Sequence, residues 1–160
     1  MRVNIIVGIS DARVSANPDD VLATYSLGSC IGVAVQDPIT KVAGLLHFQL
    51  PTATADPTRA GERPCMYADS GMAALLAEIA RHGGVQRRLR IRIAGGAQML
   101  NDANFFDIGR RNHAAIRKVL WKLGLLLESE HIGGNAPRSI FMRVADGSLT
   151  IKSNGQEIAA

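Results

Sequence analysis

A chain of 160 residues is long enough for one domain with a proper core and too short for two ordinary ones. With 47% hydrophobic and 20% charged residues it is globular rather than disordered, and 4% aromatic content leaves little for stacking on nucleic-acid bases. A formal charge of +4 favours acidic partners in general and does not single out nucleic acid.

No apolar run approaches the ~20 residues needed to span a bilayer, so no membrane insertion is expected. The N-terminal stretch from Met1 to Gly8 lacks the length and the small-residue cleavage site of a signal peptide. Two cysteines, Cys30 and Cys65, read as free thiols of a reducing compartment. The expected location is cytoplasmic, and the expected organisation is a single domain over residues 1–160, since no repeat, low-complexity tract or linker divides the chain.

In chain order, Val3–Ile9 and Val21–Tyr25 read as short strands. Ile31–Gln36 and Val42–Leu50 are apolar runs separated by Asp37-Pro38, a turn signal, and predict a buried hairpin. Pro51–Pro64 holds three prolines and predicts a long surface loop. Asp69 or Ser70 can cap a helix with Met72, Leu75, Leu76, Ile79 and Ala80 on one face, ended by Gly83-Gly84. Leu89–Ala94 alternates apolar residues with Arg90 and Arg92 and predicts a half-exposed strand, its arginine cluster a solvated edge. Asn112–Leu123 predicts a second helix. Strands follow at Leu125–Glu130, Ser139–Val144 and Ser148–Lys152, the last two joined by the hairpin signal Asp146-Gly147. Strands outnumber helices and several neighbours are hairpins. The expected fold class is therefore α/β: mixed, largely antiparallel β-sandwich layers flanked by helices.

Cys30 sits in Ser26-Leu27-Gly28-Ser29-Cys30-Ile31-Gly32, where glycines allow a tight turn and close approach of a substrate. Most lone cysteines are small buried hydrophobes. His47 shifts the balance, because it interrupts an otherwise apolar strand that pairs with the strand leaving Cys30. A thiol needs such a base, since only a few per cent of a free thiol is thiolate at neutral pH. A partly buried imidazole can hold an ion pair with the thiolate and later protonate a leaving group. Backbone amides near Gly28 and Ser29 are candidates for an oxyanion hole. A third residue would orient the imidazole, and spacing alone does not choose among Thr24, Ser26 and Ser29. Other chemistries lack their signatures. A strand-like run rather than a helix follows Cys30, which excludes a nucleophile elbow. No CxxC, HExxH or acidic loop has metal-ligand spacing, so no metal and no cofactor is called for.

Taken together, Leu27-Gly28-Ser29-Cys30, Asp37-Pro38, the His47 strand ending in Leu50-Pro51 and Tyr67-Ala68-Asp69 resemble the CheD family. The resemblance continues through Ala94-Gly95-Gly96-Ala97, Ile108-Gly109-Arg110-Arg111-Asn112, Gly133-Gly134-Asn135 and Arg138-Ser139. It implies a Cys-His-Thr triad at Cys30, His47 and Thr24, and a layered α/β sandwich. It implies hydrolysis of glutamine side-chain amides on methyl-accepting chemotaxis receptors through a cysteine thioester. It also implies, as a possible partner, a CheC-type response-regulator phosphatase. Two positions depart from the family pattern: Met99-Leu100 stands where Met-Phe is usual, and His131 where an acidic residue is usual. The competing functions are a binding partner acting chiefly on the phosphatase, and a small-molecule amidase or protein methylesterase using the same pair.

Overall fold

The computed structural model describes residues 2–99 and 107–160. Ten strands form two five-stranded sheets, and helices cover one of them. The first sheet holds β1 (Ile5–Ile6), β3 (Val21–Leu27), β8 (Arg138–Arg143), β9 (Leu149–Ser153) and β10 (Gln156–Ala159), in the order β1-β3-β8-β9-β10. The second holds β2 (Asp11–Ser15), β4 (Ile31–Gln36), β5 (Ala43–Phe48), β6 (Arg90–Gly95) and β7 (Leu127–Ile132), in the order β2-β5-β4-β6-β7. Within the two sheets, among the described residues, β1 with β3 and β6 with β7 pair parallel and the other pairs are antiparallel, so the sheets are mixed and largely antiparallel as expected.

The second sheet is the middle layer. Its strands β4 and β5 are buried on both faces, which is why they read as unbroken apolar runs rather than alternating ones. Ile31, Val33, Val35, Leu46, Phe48, Ile91 and Ile93 face α2 (Ala68–Arg81) and α3 (Ile108–Lys122), meeting Met72, Leu75, Ile79, Ile116 and Leu120. Burying each of these large side chains contributes about 1.5–3 kcal/mol. The opposite face carries Ala34, Ala43, Leu45 and Ala94 against Leu22, Ile140, Met142 and Ile151 of the first sheet. Small residues on one side and large ones on the other let the two sheets close.

Several local expectations are corrected. The Pro51–Pro64 loop contains a helix, α1 (Pro57–Glu62), with Pro57 in its first turn and the Asp56 carboxylate accepting from the Arg59 amide at 3.1 Å. Helix α2 begins one residue before Asp69. That carboxylate instead accepts from the Ala53 and Ser70 amides, pinning the loop to the helix. Strand β6 is interior, not half-exposed: apart from Arg90 all its residues are buried, because β7 covers its outer edge. Arg92 is 3% exposed and donates to the carbonyls of Gly147 and Ala160, while Arg90 pairs with Glu128 at 2.8 Å. Arg88 forks onto the buried Asp37. The arginine cluster is therefore mostly structural. Two strands escaped the sequence reading: β2, and β10 after the Asn154-Gly155 turn, whose two positive φ angles suit a tight hairpin.

Candidate active site

The chain crosses from one sheet to the other at Gly28–Cys30, between the end of β3 and the start of β4. Ser26, at φ +58, and a register shift between Thr24 and Leu27 produce the bend. Three carbonyls of the crossing are held from within. The Ala97 amide donates to Gly28 O at 2.8 Å, Asn112 Nδ2 to Ser29 O at 2.9 Å, and the Gly96 amide to Cys30 O at 2.9 Å. In a trans peptide the N–H opposes the C=O, so the amides of Ser29 and Cys30 point away from these donors. Cys30 is half-buried and packs against the inter-sheet core.

His47 lies opposite Gly32 in the β4–β5 ladder, so it shares a face of the sheet with residues two apart from Gly32. A side chain at Gly32 would press on Ile140 and Leu27 of the first sheet, the latter at 3.1 Å. Glycine there leaves room for the contact that defines this region. Thr24 Oγ1 on β3 stands 2.7 Å from His47 Nδ1 on β5, a hydrogen bond from sheet to sheet. The same hydroxyl is 2.8 Å from the Val7 carbonyl, which can only accept. Thr24 therefore donates to Val7 and accepts from His47, which places the imidazole proton on Nδ1 and the lone pair on Nε2.

Burial dominates the imidazole's chemistry. His47 is 1% exposed, and desolvation pushes its pKa down to about 4. The imidazole is thus neutral at physiological pH. Burial by itself therefore favours a neutral base over a resting imidazolium. Nε2 has no hydrogen-bond partner among the described residues. Cys65 sits in different surroundings. Burial and the nearby Asp11 both push its thiol up, away from the reactive thiolate.

Among the alternatives left open by spacing, Ser26 is exposed and Ser29 is half-buried, while Thr24 is fully buried against the histidine. Asn112 was visible in the sequence without a role. Its Nδ2 also donates to Gln49 O at 2.8 Å, so α3 ties the cysteine crossing to the strand that leaves His47. Gly95, at φ +120, lies against the Cys30 carbonyl so closely that a β-carbon would overlap it. Arg138 Nη1 donates to Gly95 O at 3.1 Å and Nη2 to Gly133 O at 2.7 Å, joining the two glycine pairs. Of the departures noted above, Leu100 lies outside the described residues. A surface concavity of about 450 Å³ between α2 and α3 includes none of Cys30, His47 or Thr24.

A family model described as CheD chemotactic sensory transduction matches residues 49–153. The chain belongs to the CheD family. A probable chemoreceptor glutamine deamidase CheD of Solibacter usitatus is 45% identical over 96% of this chain and 90% of its own length. A second from Syntrophus aciditrophicus is 42% identical over 95% of each chain, and one from Desulforamulus reducens is 38% identical over 96% and 93%. These CheD relatives span the N-terminal third, with Thr24, Cys30 and His47, which lies ahead of the family-model match. Among solved structures, the hypothetical protein YfiH of Bacillus licheniformis overlaps 76% of this chain and about half of its own (49%), at 15% identity and TM-score 0.47. No helix among the described residues is long and apolar enough to cross a membrane.

Proposed function

We propose that this CheD family member is a cytoplasmic protein-glutamine glutaminase. Acting as a single domain over residues 1–160, it converts glutamine side chains of methyl-accepting chemotaxis receptors to glutamate. The observation that carries the mechanism is the Thr24–His47 hydrogen bond, which leaves Nε2 of a neutral, buried imidazole as a base. Relatives named as chemoreceptor glutamine deamidases supply the substrate class.

Each step balances. His47 Nε2 takes the Cys30 proton and the thiolate attacks the carboxamide carbon. The oxyanion is met by the amides of the Gly28-Ser29-Cys30 crossing. The imidazolium, disfavoured by burial, returns its proton to the amide nitrogen and ammonia leaves, giving a thioester. His47 then takes a proton from water, the hydroxide attacks the thioester, and glutamate and the thiol are released. The thiolate recovers its proton from His47 and the acid's proton passes to ammonia, so the net change is glutamine plus water to glutamate plus ammonium, with no cofactor consumed. A CheC-type phosphatase is a proposed second partner. A neutral receptor side chain becomes a carboxylate, which changes repulsion within the receptor.

The test is mass spectrometry of a receptor cytoplasmic fragment after incubation with this protein. Conversion of particular glutamines to glutamate is expected. Turnover of small amides with the fragment untouched would move the reading to a small-molecule amidase.

A further inference from the structure

A recess of about 270 Å³ opens beside the cysteine crossing, one residue from each end of the Asn112 link. Leu50 follows Gln49, and Arg111 precedes Asn112; both line it, with Ile108 completing an apolar floor. Two polar residues stand out in its lining. Arg111 is exposed and makes no ion pair among the described residues, although its neighbour Arg110 is paired with Asp107. Tyr67, 3% exposed overall, lines the recess as well. The one carboxylate in the recess, Asp56, is already paired with Arg59 at 3.5 Å and caps α1. Among the described residues the lining holds two guanidiniums and one carboxylate, a net positive charge.

We infer that this recess is a specificity subsite that takes an acidic side chain of the substrate protein, next to the glutamine being hydrolysed. The inference rests on the deamidase reading. A glutamate or aspartate laid over Leu50 and Ile108 would place its methylene stem on the apolar floor. Its carboxylate would accept from the Arg111 fork and from the Tyr67 hydroxyl, two charge-assisted hydrogen bonds. Because α3 also holds Ser29 through Asn112, the helix that reads the neighbour is the one that sets the cysteine crossing. Arg111 is a positioning residue in this account and touches no reacting atom.

The experiment measures kcat/KM for receptor cytoplasmic fragments in which the acidic residues within one helical turn of a modified glutamine are kept, changed to alanine, or changed to lysine. Wild-type protein is expected to lose about tenfold with alanine, the usual worth of one charge-assisted contact at a partly exposed site, and more with lysine. Arg111→Glu should reverse the order, favouring the lysine fragment, and Tyr67→Phe should shrink the preference without reversing it. A structural role alone would not swap specificity. If Arg111→Glu melts below the assay temperature, Arg111→Met carries the test, with a preference ratio near one expected. Deamidation indifferent to the neighbouring charge, or an unchanged preference in a folded Arg111 variant, would overturn the subsite alone. No deamidation of any fragment by wild-type protein would overturn the deamidase reading, and the subsite with it.

Discussion

The two faces of the middle sheet are built from the same three strands and do different things. Towards the helices, β4, β5 and β6 present Ile31, Val33, Val35, Leu46, Phe48, Ile91 and Ile93, all apolar. Towards the other sheet they present three buried polar residues, and each is tied to that sheet. Gln36 Nε2 donates to Val144 O at 3.0 Å, Arg92 donates to Gly147 O, and His47 meets Thr24. A buried polar group is tolerated only with a partner, and a partner on a different sheet fixes how the sheets sit. The apolar face thus supplies stability, and the polar face supplies the alignment on which the histidine's tautomer depends.

That contrast can be broken most sharply at the cysteines. Cys30→Ala should abolish receptor deamidation, while Cys65→Ala, at a thiol packed on the helix-side core, should leave it within about twofold. Equal loss in two folded variants, judged by circular dichroism, would erase the distinction. A second comparison sets a residue of the helix-side face against the residue that His47 meets across the sheets. Phe48→Ala should cost about 3–5 kcal/mol in denaturant unfolding, as for other large-to-small core changes, with turnover per folded molecule retained. Thr24→Val keeps the shape and removes the acceptor for Nδ1. It should lower kcat about tenfold to a hundredfold, the worth of about 1–3 kcal/mol for an unsatisfied buried donor. A Thr24→Val protein with wild-type kcat would mean that the sheet-to-sheet bond only aligns layers.

The smallest effect is in pH. His47 binds its proton near 4 when folded and near 6.5 when unfolded, so the unfolded state takes up more protons between these values. Stability should therefore fall as pH drops from about 6.5 towards 4, and by about 1 kcal/mol between pH 7 and 5.5. Asp37 acts in a lower window. Burial opposes its charge, but the Arg88 fork and the Val85, Ile39 and Thr40 amides outweigh it and hold the carboxyl well below the usual range. Its contribution is present above the ordinary carboxylate value and is lost as pH falls further. Urea midpoints from pH 7 to about 2, in wild-type and His47→Ala proteins, separate the two, since the variant should lose the slope between about pH 6.5 and 4 and keep the one below it.

Cys30, His47 and the hairpin between them were legible because the signals are local: an apolar run, a turn, and a histidine where nothing polar belongs. The contact of Thr24 with His47 was not legible from spacing, since it crosses between sheets and hydroxyls at 26 and 29 fit the sequence equally well. Asn112 was hidden for the same reason: its acceptors lie 83 and 63 positions away. Arg92 misled because alternating charge usually marks an exposed strand, and only the pairing of β6 with β7 shows it enclosed. Strand β10 is exposed along its whole length, so it carries no apolar pattern to find.

The central claim is that the polar face drives the thiol through His47. It is tested most directly by the deamidation rate of His47→Ala on a receptor cytoplasmic fragment, with the melting temperature measured on the same preparation. A positioned proton-transfer residue is worth about 10²–10⁴-fold, so a drop of that size in a protein still folded at the assay temperature is the predicted result. A rate within tenfold of wild type in the folded variant would contradict the account, leaving His47 as a core histidine that only joins the sheets.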